Sequence, residues 1–187
     1  MSTLFQRRYQ ENTRLQSVCK MIVNIIMVIV SAYVIVTFMC DRTIISGGSM
    51  QPVIENEDTV LINRFAYSFT KPKRYSVAAF KLPGSNSSKV YVKRVIGLPG
   101  EKIQIKDGHV YINGEQLKHD VFTDTILTAG LAANEITLGK DEYFLLGDNR
   151  NNSEDSRFAG VGIVKEKNIT GSVWAIVGPV KRLGFVK

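Results

Sequence analysis

The sequence predicts a mostly-β protein carried behind a single N-terminal transmembrane helix. Three observations predict it. Met21 to Cys40, MIVNIIMVIVSAYVIVTFMC, runs twenty residues without a charge, matching the ~20 helical residues that cross a bilayer core. After it, short β-branched and aromatic runs recur between clusters of Gly, Pro, Asn and Asp, the pattern of many short strands. Beyond the apolar run, no long stretch repeats its apolar residues with a helical period.

The apolar run reads as an uncleaved signal anchor. It is apolar all round, unlike a core helix of a soluble protein. It is longer than the apolar region of a cleaved leader, and Cys40-Asp41-Arg42 is not a small-residue cleavage site. Residues 1–20 carry Arg7, Arg8, Arg14 and Lys20 against Glu11. The positive-inside rule therefore places 1–20 in the cytoplasm, 21–40 in the membrane and 41–187 outside the cytoplasm.

Within 41–187 the expected strands follow in order. Thr59 to Arg64 is β-branched and apolar; Ser76 to Lys81 follows the break at Lys71-Pro72-Lys73-Arg74. Between them, Phe65, Tyr67 and Phe69 alternate with small or polar residues. They read equally as a half-buried strand or loop edge and as an aromatic patch on the membrane interface. Lys89 to Ile96 is a strand with Val90, Val92, Arg94 and Ile96 on one face and Tyr91, Lys93 and Val95 on the other. Lys102 to Ile105 and His109 to Ile112 flank a turn at Lys106-Asp107-Gly108, and Asn113-Gly114 is a hairpin signal. Residues 118–140 have no periodic apolar face, so 108–140 reads as a small lobe or cap. Glu142 to Leu146, Val161 to Val164 and Ile169 to Val177 complete the set.

The net charge of +7 divides into +3 on 1–20 and +4 on 41–187, with no like-charged block interleaved with aromatics. That argues against nucleic acid as a partner. Cys19 and Cys40 lie roughly 30 Å apart along a helix rising ~1.5 Å per residue, too far to pair. Two cysteines and the scattered His109 and His119 offer no metal-ligand spacing, so no metal or other cofactor is expected.

Three stretches carry candidate chemistry. Ile45-Ser46-Gly47-Gly48-Ser49-Met50-Gln51-Pro52 presents a serine on a tight turn. Lys93 sits among apolar strand residues, where burial can lower an amine's pKa towards that of a usable base. Gly147 to Arg157, GDNRNNSEDSR, is dense in polar groups. Taken singly, each is also ordinary structure: a loop, a lysine on a solvent face and a polar turn. Neither histidine has a neighbouring carboxylate pattern to orient it, so both read as bystanders.

Together the stretches carry more. Ser49-Met50-Gln51-Pro52, then Tyr91 to Glu101 (YVKRVIGLPGE), then Gly147 to Arg157 closely resemble the three signature boxes of bacterial type I signal peptidases. Order, spacing and the preceding anchor match the single-anchor form common in Gram-positive bacteria. The resemblance implies an extracytoplasmic β-rich catalytic domain of the signal-peptidase type, with Ser49 as nucleophile and Lys93 as general base. It implies that the Ser153 hydroxyl orients the lysine amine and that Asp155 and Arg157 prop the site. The oxyanion would be held by the Ser49 backbone N–H. Gly47 supplies no second donor where part of the family has a serine, Val53 replaces a common threonine, and Ser76 replaces a usual acidic residue. The implied substrates are secretory preproteins with small residues before the cut. They would bind as an added strand, with Ile45, Met50, Tyr91 and Val92 lining shallow apolar pockets. Membrane lipid is the other expected partner, with the site near the outer membrane surface. The alternative reading is a dedicated processing or chaperone-like partner of an exported surface protein.

Overall fold

The computed structural model describes residues 13–84, 89–118, 120, 122 and 125–186. His119, much of the Pro83–Ser88 turn and the charged stretch 1–12 lie outside them. The chain divides into two compact units, Met1–Phe38 and Met39–Lys187.

The first unit is built on α1, Thr13–Met39. Within it Gln16–Val34 has a mean hydropathy of 2.0 and contains no buried residue. By length and composition it can cross a membrane. The helix begins ahead of the apolar run because Thr13 to Lys20 contains neither Gly nor Pro to stop it.

The second unit is almost entirely strand. In chain order its elements are β1 (Cys40–Ile44), β2 (Thr59–Asn63), α2 (Ala66–Phe69), β3 (Val77–Phe80), β4 (Tyr91–Gly97), β5 (Lys102–Lys106) and β6 (His109–Ile112). Then come β7 (Glu115–Gln116), β8 (Ile136–Thr137), β9 (Glu142–Leu146), β10 (Val164–Lys165), β11 (Ile169–Gly178) and β12 (Gly184–Phe185). One sheet runs β1-β2-β11-β3-β4-β9-β10, with β12 also on β11; the other runs β7-β6-β5-β8.

Alternation along the strands separates the core into distinct layers. Val60, Ile62, Val77, Ala79, Val92 and Val173 pack with Met50 and Ile54 from the turn after β1. Ala78, Phe80, Val95, Tyr143 and Leu145 form a second cluster, against which Tyr91 packs. Ile96, Phe144 and Leu146 join the smaller sheet's Ile103, Ile105, Val110 and Ile112 in a third.

Two features of register shape the site. Lys93 pairs with Ala78 and Val92 with Ala79 on one side of β4. On its other side β9 engages β4 only at Arg94, Val95 and Gly97. Tyr91 to Lys93 therefore keep a strand edge that β9 does not take. β1 is the end strand of its sheet and pairs only with β2.

Several expectations are corrected. Phe65, Tyr67 and Phe69 are not on a strand: Ala66–Phe69 is a single helical turn, held at its start by Asn63 Oδ1, which accepts from the Phe65 and Ala66 N–H groups. This side-chain cap outcompetes the alternation. Phe69 is 85 % exposed, whereas Tyr67 packs on the second cluster. The strand expected at Val161 to Val164 is reduced to Val164–Lys165, because Val161 and Gly162 close a turn on the Phe158 carbonyl. The strand expected from Lys89 begins at Tyr91. Within 125–140, β8 completes the smaller sheet on β5, and the Leu127 N–H donates to Asn151 Oδ1. The hairpins at Asp107-Gly108 and Asn113-Gly114 form as expected, each turn with two residues at positive φ.

Candidate active site

The turn after β1 is braced at both ends. Ile45 N–H donates to the Asp58 carbonyl and Glu57 N–H to the Ile45 carbonyl, at 2.9 and 2.8 Å. Gly47, at φ +102°, takes a backbone shape that side chains rarely allow, and its N–H donates to Asn56 Oδ1 at 2.8 Å. Met50 and Ile54, fully buried, plug the turn into the core. Ser49 is thereby held on a rigid support, and its carbonyl accepts from the Asn149 N–H at 3.0 Å. Its own N–H engages no acceptor among the described residues.

Lys93 reaches this turn from β4. Its Nζ lies 2.5 Å from Ser49 Oγ, hydrogen-bonded to it. The side chain is 4 % exposed, and burial lowers its pKa from 10.5 to about 8, against the opposing pull of Asp155, Glu154 and Asp148. A proton on the serine hydroxyl thus faces an amine that is partly neutral near physiological pH. That pair can activate an oxygen nucleophile and return the proton to a leaving group.

Ion pairs buried or mostly buried hold the Gly147–Arg157 segment behind the dyad. Asp155 and Arg157 form a two-pronged pair, Nε to Oδ1 and Nη2 to Oδ2 both 2.8 Å. Asp155 also accepts from the Gly147 N–H, while Arg157 donates to the Thr128 and Arg150 carbonyls. Arg94 binds Asp148 through two bonds of 2.7 Å and donates a third to the Tyr75 carbonyl. Burial pushes the Asp148 carboxyl up, opposed by those same Arg94 bonds. Arg150 pairs with Asp120 through two bonds of 2.5 Å.

The structure brings Ser49, Lys93, Ile45, Met50, Tyr91 and Val92 into one cleft of about 410 Å³. Ser153 arrives beside them, but its buried hydroxyl bonds neither to Lys93 nor to any other described residue. It lodges against Gly147, where an added Cβ would collide with Ser153 and with the Ser49 carbonyl. Gly147→Ala is accordingly expected to destabilise the fold by about 1–3 kcal/mol and to lower kcat by about 10²-fold. Thermal unfolding and cleavage rates check this, and normal values for both would rule out a close-packed role for Gly147.

Ser76 donates to the Lys73 carbonyl, and the Val53 carbonyl accepts from Arg182. His109 lines a different hollow. Among the described residues, no group of three or more His, Cys, Asp or Glu side chains can hold a metal ion. Sequence reasoning passed over Arg94, Asp148, Asn149, Arg150 and Asp120. An arginine alternating with Val92 and Ile96 on an apolar strand is a usable signal, since a buried guanidinium needs a carboxylate. Asp120 has no local signal, because only the fold brings it to Arg150.

A family model described as signal peptidase, peptidase S26, matches residues 18–177. Probable signal peptidase I-2 of Synechocystis sp. is 30 % identical over 94 % of this chain and 78 % of its own length. Signal peptidase I V of Bacillus subtilis is 38 % identical over 69 % of this chain and 80 % of its own. A solved signal peptidase I from Enterococcus faecalis V583 is 32 % identical, with a TM-score of 0.41 over 55 % of this chain and 97 % of its own.

Proposed function

Since this chain belongs to the signal peptidase family, peptidase S26, we propose that Ser49 is its nucleophile and Lys93 its general base. The protein is a membrane-associated serine peptidase that removes signal peptides from secretory preproteins. The observation that carries the residue assignment is the 2.5 Å approach of the buried Lys93 amine to the Ser49 hydroxyl.

In this reading Ser49 Oγ attacks the carbonyl carbon of the last signal-peptide residue, and Lys93 Nζ takes the hydroxyl proton. The unengaged Ser49 N–H stabilises the oxyanion. Lys93 returns the proton to the leaving amine, leaving the signal peptide as an ester on Ser49. Water, deprotonated by Lys93, then hydrolyses that ester. Asp155 and Arg157 hold the segment beside the amine, and Ser153 supplies a hydroxyl next to it. The peptide before the cut lies as an extended strand between the free edge of β1 with its continuation and the open edge of Tyr91–Lys93. Ile45, Met50, Tyr91 and Val92 shape shallow pockets that admit small side chains. Residues 1–20 face the cytoplasm, 21–40 span the membrane, and 41–187 form the extracytoplasmic catalytic domain.

The test is to incubate the purified full chain with preproteins and sequence the new N-termini. Cleavage after small residues is expected. Lysine accepts a proton only when neutral. With its pKa lowered to about 8, kcat/KM should therefore fall about tenfold per pH unit below that value and level off above it. A profile flat from pH 6 to 9 would remove Lys93 from the role of base.

A further inference from the structure

The cleft does not end at Ser49 and Lys93. One part of its wall is Thr43–Ser46 with Lys89–Val92, and another is Asn152 and Glu154. Asn152 and Glu154 also wall a second hollow of about 400 Å³, together with Asn151, Ser153 and Phe158. The dyad sits close to this second region, because the Ser49 carbonyl is bonded to Asn149 and the charges of Asp155 and Glu154 act on Lys93. A peptide whose residues before the cut lie along the two strand edges would carry those after the cut past the dyad, towards Asn152 and Glu154 in the same cleft.

Among the described residues, Glu154 is the only charged one lining that hollow. It is exposed and makes no hydrogen bond or ion pair with a described residue. The acidic groups in or bound to the Gly147–Arg157 segment are otherwise matched, Asp155 by Arg157, Asp148 by Arg94 and Asp120 by Arg150. One of its carboxylate oxygens lies against Gly160, where any side chain would collide with it. A carboxylate without a hydrogen-bonded or ion-paired partner among the described residues therefore faces the cleft, where its charge also acts on Lys93.

We propose that Glu154, with Asn152 and Phe158, forms a subsite for the residues that follow the scissile bond, favouring basic residues there over acidic ones. The proposal rests on the assignment of Ser49 and Lys93 as the dyad. Glu154 acts by attraction or repulsion across a partly hydrated gap, so its effect is moderate and salt-sensitive.

The test uses the full chain in detergent micelles and one preprotein with an Ala-x-Ala site, carrying Lys, Gln or Asp at the first two positions after the cut. Rates are compared at about pH 9, where Lys93 is mostly neutral and a substrate lysine is still charged. The wild type is expected to prefer Lys over Asp by about five- to tenfold in kcat/KM at low salt. That ratio should shrink to about two- to threefold in roughly 0.5 M NaCl, a readout that needs no variant. Glu154→Gln should abolish the preference and Glu154→Lys should invert it. A wild-type ratio within twofold at low salt, or one that survives in Glu154→Gln, overturns the subsite alone. If the wild type cuts none of the three preproteins, the dyad assignment falls and the subsite falls with it.

Discussion

Ser49→Ala and Lys93→Ala are each expected to lower kcat for preprotein cleavage by about 10⁴-fold or more. The alanine at 49 leaves nothing to form the acyl ester. The alanine at 93 leaves a hydroxyl whose proton has no acceptor, since the amine is its only side-chain partner among the described residues. Lys93→Arg should fail as completely, because a guanidinium does not deprotonate at working pH. These losses should not come from unfolding. A lysine pKa lowered from 10.5 to about 8 means that holding the amine charged in the fold costs on the order of 3 kcal/mol. That cost is fully present at pH 7, where the amine is protonated both folded and unfolded, and it fades as pH rises from about 8 towards 10.5. Lys93→Met should therefore be inactive yet at least as stable as the wild type at pH 7. Urea unfolding alongside the cleavage assay checks both halves, and appreciable turnover in any of these variants would contradict the dyad.

The second large effect is on stability. Arg94 and Asp148 are 1 % exposed or less on their side chains and meet through two bonds of 2.7 Å. Asp148→Leu leaves the Arg94 charge buried without a counter-charge, which is expected to cost about 3–5 kcal/mol. Arg94→Met costs similarly by stranding the carboxylate, already pushed up by burial. The double variant Arg94→Met/Asp148→Leu should recover most of that loss, because apolar groups of similar size need no partner. Denaturant midpoints for the four proteins give the coupling energy directly. Additive losses would show that the pair acts through something other than mutual neutralisation.

Much of the fold was legible because it rests on local patterns. Alternation marked β2, β3, β4, β5, β6, β9 and β11 to within a few residues, and Asp107-Gly108 and Asn113-Gly114 marked their hairpins. The failures have a common cause. Phe65, Tyr67 and Phe69 alternate like a strand, but a side-chain cap from Asn63 curls the chain first. β7, β8, β10 and β12 are two residues long, too short for any pattern, and exist because a longer strand lies beside them. Residues 118–140 showed no periodic pattern, and the partners of Asp120, Leu127 and Thr128, which are Arg150, Asn151 and Arg157, lie far along the chain.

By itself the sequence determined an N-terminal helix long and apolar enough to cross a membrane, the β-rich character of the rest, and the residue types at Ser49, Lys93 and Gly147–Arg157 that invite serine-peptidase chemistry. Only the tertiary structure decided that Lys93 is buried, that its amine meets Ser49, 44 positions away along the chain, and that the turn reaches Asn149 through a backbone bond. It also decided which charges pair, Arg94 with Asp148 and Arg150 with Asp120, and left Glu154 at the cleft without an ion-pair partner among the described residues. The physical reason is that burial and Coulomb partners are properties of space. Alternation, turn preference and hydropathy act between near neighbours and can be read in order. The pKa of an amine depends on what long-range folding packs around it.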